Sequence, residues 1–257
     1  MQFPIIIAAF GTTSTAIATY SRLHDSLQDH LKKEEIIWSY SSKKITHKLH
    51  HQRESTVLHP EVVLQNLAAR GTTRAVLQSL HLFPGSEFHN LARLSRSTQL
   101  ECALGMPLLT SPQDYEAIGE ILRPLITARP DTAIVVLGHG TDHPSWTAYY
   151  ALEKILRLKF GARIFVGVVE KYPDSTHLVD EIAQSGYRKV CIIPFFLVAG
   201  MHYRRDIVGD GPSSWQSRFQ LKGLEVETID YGLGMYPGLE KIVIRHIIEA
   251  AQALMVS

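Results

Sequence analysis

The chain has 257 residues, 45% apolar and 20% charged, a balance that excludes disordered and fibrous classes and leaves material for one large buried core or two small ones. Its 26 lysines and arginines against 25 aspartates and glutamates leave a net charge of +1, so no global field draws it to nucleic acid or to an anionic membrane. Cys102 and Cys191 form neither a CxxC pair nor a disulfide framework, no basic-flanked signal core opens the sequence, and no apolar run reaches the ~18 residues of a membrane span, so the expected compartment is the reducing cytoplasm.

Short apolar runs alternate with longer amphipathic segments along the chain. The runs at 3–10, 75–82, 134–137, 163–169, 190–197 and 225–228 read as strands, most of them largely apolar, the pattern of burial on both faces. Segments 15–33, 62–70, 86–97, 114–126, 145–160, 176–185 and 238–255 read as helices, and Gly71 and Gly186 stand where left-handed caps are expected. Strand and helix alternation predicts an α/β fold with parallel sheets flanked by helices.

The sequence also echoes itself. The stretch from Ile6 to Gly11-Thr12 aligns with Val135 to Gly140-Thr141, each an apolar strand ending in a glycine-threonine turn. Residues 74–88 align with 189–203, which sets Glu87 against His202. Two similar domains are therefore expected, 1–128 and 129–257, divided near Ala128-Arg129-Pro130, with the last helix packing back on the first domain. Open parallel sheets bind ligands at the carboxyl ends of their strands, so the two halves are expected to enclose a cleft lined by those loops.

Three strand ends carry the chemistry. Gly138-His139-Gly140 follows the run at 134–137, Glu170 closes the run at 163–169, and His202 follows the run at 190–197 through Ala199-Gly200-Met201. Two imidazoles and a carboxylate suit cobalt, nickel, iron or zinc, and the lack of cysteine ligands argues against a closed structural zinc site. The HExxH helix of metalloproteases is absent. An activated-water hydrolase and a non-catalytic metal or tetrapyrrole carrier remain alternatives.

These residues, in their order and spacing, resemble the class II tetrapyrrole chelatases, most closely the anaerobic sirohydrochlorin cobaltochelatases of cobalamin biosynthesis. The likeness runs from Phe10-Gly11-Thr12 through Gln78-Ser79-Leu80-His81, Gly85, Glu87-Phe88 and Leu104-Gly105-Met106-Pro107 to Gly138-His139-Gly140. It continues through Val169-Glu170-Lys171-Tyr172-Pro173, residues 194–202, Asp210-Gly211, Ser214-Trp215 and Gly232-Leu233-Gly234. The resemblance implies a chelatase-like fold of two α/β domains, no organic cofactor, sirohydrochlorin and Co2+ as partners with Fe2+ or Ni2+ as alternatives, and His139, Glu170 and His202 as the residues that bind and insert the metal. Iron insertion toward siroheme is the runner-up, and a homo-oligomer is compatible with the reading.

A ring rich in carboxylates needs donors and cations. Phe10, Gly11, Thr12 and Thr13, with Ser14, open a helix after the first strand, and Arg204 with Arg205 follows His202; these residues and Glu87 are the expected ring contacts. Lys43, Lys44, Lys48 and Arg53 form a basic stretch that reads as a solvated face, as do His47 and His51. His143 is a candidate metal relay, and Trp215 and Tyr203 read as core.

Overall fold

The first strand, β1 (Ile5–Ala9), has no solvent face: its five side chains are at most 1% exposed, as a strand covered by helices on both sides must be. In the computed structural model, which describes residues 3–12, 18–52 and 57–256, β1 pairs with β2 (Ile36–Tyr40) and β3 (Arg74–Ser79), and β4 (Glu101–Gly105) completes an all-parallel sheet of order β2-β1-β3-β4. A second all-parallel sheet, β6-β5-β7-β8, is built from β5 (Ala133–Gly138), β6 (Ile164–Val168), β7 (Lys189–Pro194) and β8 (Glu225–Thr228). The connecting helices are α1 (Ala18–His30), α2 (Lys43–Gln52), α3 (Pro60–Ala69), α4 (Ser86–Ser97), α5 (Pro112–Thr127), α6 (Thr147–Phe160), α7 (Leu178–Gln184), α8 (Trp215–Leu221) and α9 (Leu239–Val256). Two parallel sheets with helical crossovers agree with the fold class read from the sequence.

The chain divides into two units, residues 1–111 with 238–257 and residues 112–237. The division expected at 128 falls inside the second unit, because α5 is tied there. Lys159 on α6 pairs with Glu116 and Glu120 of α5, both at 2.7 Å, and Arg163 donates to the carbonyls of Ile126 and Arg129 at the end of that helix. The last helix belongs to the first unit, where α9 packs on β3, β4 and α1 and buries Ile242, Val243, His246 and Ile247. On the opposite face of that sheet, Val63, Leu64 and Leu67 of α3 pack with Ile6, Ala8, Ala75 and Leu77. In the second unit α7 and α8 cover Val135, Leu137, Val190 and Ile192, and Trp215 is 4% exposed within that core, as expected, with Tyr203 packed against it.

The internal echo is a repeated topology. Gly11 and Gly140 both take a left-handed backbone after the central strand, with φ of 100° and 87°. The Gly140 N–H donates to the Tyr149 hydroxyl at 3.0 Å, and Tyr20 lies the same distance along the chain beyond Gly11 as Tyr149 does beyond Gly140. Beyond the third strand of each unit, Leu80 N–H donates to Ala8 O at 2.9 Å and Phe195 N–H to Leu137 O at 2.6 Å. Within each sheet the central strand has its successor on one side and the next strand on the other, so the switch point of the second unit lies at the carboxyl ends of β5 and β7. Among the described residues no helix is long and apolar enough to cross a membrane.

Candidate metal centre

His139 leaves the carboxyl end of β5 at that switch point, held between two glycines that have no room for a side chain. A Cβ on Gly138 would lie 2.3 Å from Tyr149 Cε1, and one on Gly140 would lie 1.7 Å from the Glu170 carbonyl oxygen. The close approach exists because the turns after β5 and β6 are stitched together. Val169 N–H donates to Gly138 O at 2.9 Å, Glu170 N–H to His139 O at 3.1 Å, and Thr141 N–H to Tyr172 O at 3.1 Å. Lys171 reverses the chain after Glu170 with φ of 62° and pairs with Asp142 at 3.0 Å. His202 arrives from β7, where the chain enters a helical turn that widens into a π turn at Tyr203–Ile207.

These elements bring His139, Glu170 and His202 together, with one ligand atom from each within 4.8 Å of the others; among the described residues no other group of three His, Cys, Asp or Glu converges in this way. The two Nε2 atoms are 3.0 Å apart and the rings meet edge to face at 80°. Phe196 lies over the His202 ring at 17° and edge-on to His139. His139 Nδ1 is 3.1 Å from Gly140 O and 3.6 Å from Glu170 Oε1, both acceptors, so its ring hydrogen belongs on Nδ1. His202 Nδ1 donates to Asp206 Oδ2 at 2.7 Å, which leaves its Nε2 bare as well. Two lone pairs then converge on one point, and a single cation between them, a proton or a metal ion, satisfies both. Cis ligands ~2.1 Å from one ion are about 3.0 Å apart, so the spacing needs little adjustment to take a metal. The nitrogen and carboxylate donor set is that of a borderline divalent ion such as Co2+.

Asp206 was not legible as a functional residue in the sequence, although its place four positions after His202 on a helical turn is a usable signal. Burial alone raises the Asp206 carboxyl, but hydrogen bonds from Arg205 and His202 outweigh it and hold the group below the usual carboxylate range, so it is anionic near neutrality. Tyr149 was also missed. Its hydroxyl fixes the Gly140 backbone, and burial pushes its pKa up to about 12, so it stays a neutral phenol.

The other expected site residues are placed as follows. Phe10, 50% exposed, with Gly11 and Thr12 follows β1 in the first unit, where Glu87 lies half-buried in the first turn of α4. Thr13 and Ser14, like Arg53, fall outside the described residues. Arg204 is exposed on the π turn after His202. His143 does not join the cluster: its Nδ1 accepts the Ser145 N–H at 3.1 Å and caps a short 3-10 turn. His47 is exposed, as expected, and the side chain of His51 falls outside the described residues.

The first unit holds a polar network that the sequence reading passed over. His81, beyond β3, has Ser79 Oγ 2.9 Å from Nδ1 and Ser41 Oγ 3.1 Å from Nε2, linking the carboxyl ends of β2 and β3. Burial lowers its pKa to about 4. The unfolded chain takes up this proton near pH 6.5 and the folded chain only near 4, so stability should fall as pH drops across that interval, by at most about 1.4 kcal/mol per unit. Urea melts at pH 7 and pH 5 check this, and the slope should flatten in His81→Gln.

Residues 4–252 match the family of cobalt chelatases, CbiK. A sirohydrochlorin cobaltochelatase of Salmonella typhimurium is 30% identical over 97% of both chains. The sirohydrochlorin cobaltochelatase CbiKC of Nitratidesulfovibrio vulgaris is 30% identical over 97% of this chain and 91% of its own. Among solved structures, SirB from Bacillus subtilis with Fe3+ superposes with a TM-score of 0.70 at 13% identity, covering 98% of this chain and 97% of that one. CbiX, described as the terminal enzyme of siroheme biosynthesis in denitrifying bacteria, superposes at 0.59 with 12% identity over 96% of this chain and 99% of its own. At those identities the two structures speak for the fold alone, whereas the match over nearly the whole sequence shows that the chain belongs to the CbiK family of cobalt chelatases.

Proposed function

We infer that this chain is a sirohydrochlorin cobaltochelatase, a lyase-type chelatase of cobalamin biosynthesis, and that His139, Glu170 and His202 carry the metal. The observation that supports the residue assignment is the meeting of two bare Nε2 atoms 3.0 Å apart beside the Glu170 carboxylate. Insertion replaces two ring N–H bonds with bonds from nitrogen to cobalt, so Co2+ and the free ring give the metallated ring and two protons. No electron is transferred, and the step calls for no organic cofactor.

The ion first exchanges bound water, which leaves to solvent, for donors of His139, His202 and Glu170. These neutral and anionic donors hold it loosely enough to be exchanged for ring nitrogens one at a time. Each Nε2 that releases the ion becomes a vacant base within reach of a departing proton, and the Glu170 carboxylate is a further acceptor. Phe10, Gly11, Thr12, Glu87 and Arg204 remain the proposed ring contacts, with the Arg204 guanidinium suited to a ring carboxylate. The unpaired thiols of Cys102 and Cys191 support a cytoplasmic placement.

The test is an anaerobic absorbance assay with sirohydrochlorin and Co2+, Fe2+ or Ni2+. Multiple turnovers of Co2+ insertion above the uncatalysed rate are expected. Stoichiometric binding without turnover would mean a carrier, and insertion of Fe2+ in preference to Co2+ would overturn the metal assignment.

A further inference from the structure

The residue that aims His202 at the ion lies outside the three-residue set. We propose that Asp206 is a positioning residue that fixes the ring hydrogen of His202 on Nδ1 and so presents Nε2 to the metal; this rests on the reading of His139, Glu170 and His202 as the metal-holding residues. An imidazole free in water favours its hydrogen on Nε2, which would point a donor at the ion. A carboxylate hydrogen-bonded to the opposite nitrogen reverses that choice and makes the ligating nitrogen more electron-rich.

The geometry for this role is built in. Asp206 Oδ2 accepts from His202 Nδ1 at 2.7 Å. The carboxylate cannot swing away, because Arg205 grips both its oxygens, with Nε 2.7 Å from Oδ1 and a terminal nitrogen 3.1 Å from Oδ2. The turn itself is wide: Val208 N–H reaches back to Tyr203 O at 3.1 Å, a π-type bond. The chain leaves the turn at Gly209, where a Cβ would lie 2.4 Å from Arg205 O. The buried Ile207 anchors the same turn in the core of the second unit. His139 is held differently, against the backbone carbonyl of Gly140, so the two imidazoles of the site are oriented by unlike partners.

The experiment titrates the full chain with Co2+ alone by calorimetry and reads the His202 ring by 15N NMR, for the wild type, Asp206→Ala, Asp206→Asn, Asp206→Glu and His202→Ala. Asp206→Ala should weaken Co2+ binding by about 10- to 100-fold and move the His202 ring hydrogen to Nε2. Asp206→Asn, of the same shape and expected to keep the wild-type melting temperature, should fall between, and Asp206→Glu should recover part of the loss. In turnover, the KM for Co2+ should rise more than kcat falls. The inference is overturned if Asp206→Ala keeps the wild-type tautomer and binds Co2+ within about twofold of wild type while His202→Ala has lost the ion. If His202→Ala itself binds like wild type, the metal reading fails first and the role of Asp206 fails with it.

Discussion

Replacing His202 with alanine should slow Co2+ insertion into sirohydrochlorin by roughly 1,000-fold, because in the proposed assignment one side chain supplies both an ion donor and a proton acceptor. His139→Ala should do the same: with either Nε2 removed, the ion is left with one imidazole and a carboxylate. Glu170→Gln should be milder, since that side chain is 39% exposed and stands 3.6 Å from His139 Nδ1, so water can take over part of its role. Single-turnover spectra recorded anaerobically separate the three variants. Histidine variants that metallate the ring at wild-type rates would remove these residues from the reaction, whatever the family.

The second large effect belongs to a residue with no side chain. Gly140→Ala combines a left-handed backbone, φ of 87°, with a Cβ placed 1.7 Å from the Glu170 carbonyl oxygen. The backbone strain costs roughly 1–2 kcal/mol, and the clash must in addition push apart the stitched turns after β5 and β6. A total loss of about 3 kcal/mol or more is expected, with insertion activity falling further because Glu170 moves with its carbonyl. Gly161 is the control, since its φ of 89° is similar but a Cβ there meets nothing within 4 Å. Gly161→Ala should therefore show the strain alone. Equal melting temperatures for the two variants would refute the steric account.

Buried parallel strands announce themselves, and so did the residues at their ends. β1, β3, β5, β6 and β7 read as largely apolar runs, and His139, Glu170 and His202 stood out as polar groups where such runs stop. The edge strands β2 and β4 escaped because they are only partly buried, and Cys102-Ala103-Leu104-Gly105 has little β-branched character. Helix α2, rich in lysine and histidine, and the short α8 each carry too few apolar residues for a helical period to stand out in the sequence. Asp206 was hidden for another reason: its meaning comes from one hydrogen bond to a neighbouring ring, which spacing permits and only geometry establishes. The structure groups α5 with the second unit through the ion pairs of Lys159 and the carbonyl contacts of Arg163, which join residues distant in sequence and leave no mark on it.

That division has a consequence for synthesis. The second unit is one uninterrupted segment, 112–237, whereas the first borrows its closing helix from 238–257. During vectorial translation the usual order is inverted: the half that emerges first cannot complete its core until the ribosome has made α9, and the half made later has every element it needs sooner. Until then the face of β3 and β4 that Ile242, Val243 and Ile247 will cover stays bare, so the earliest-made sheet is the one that waits longest for protection.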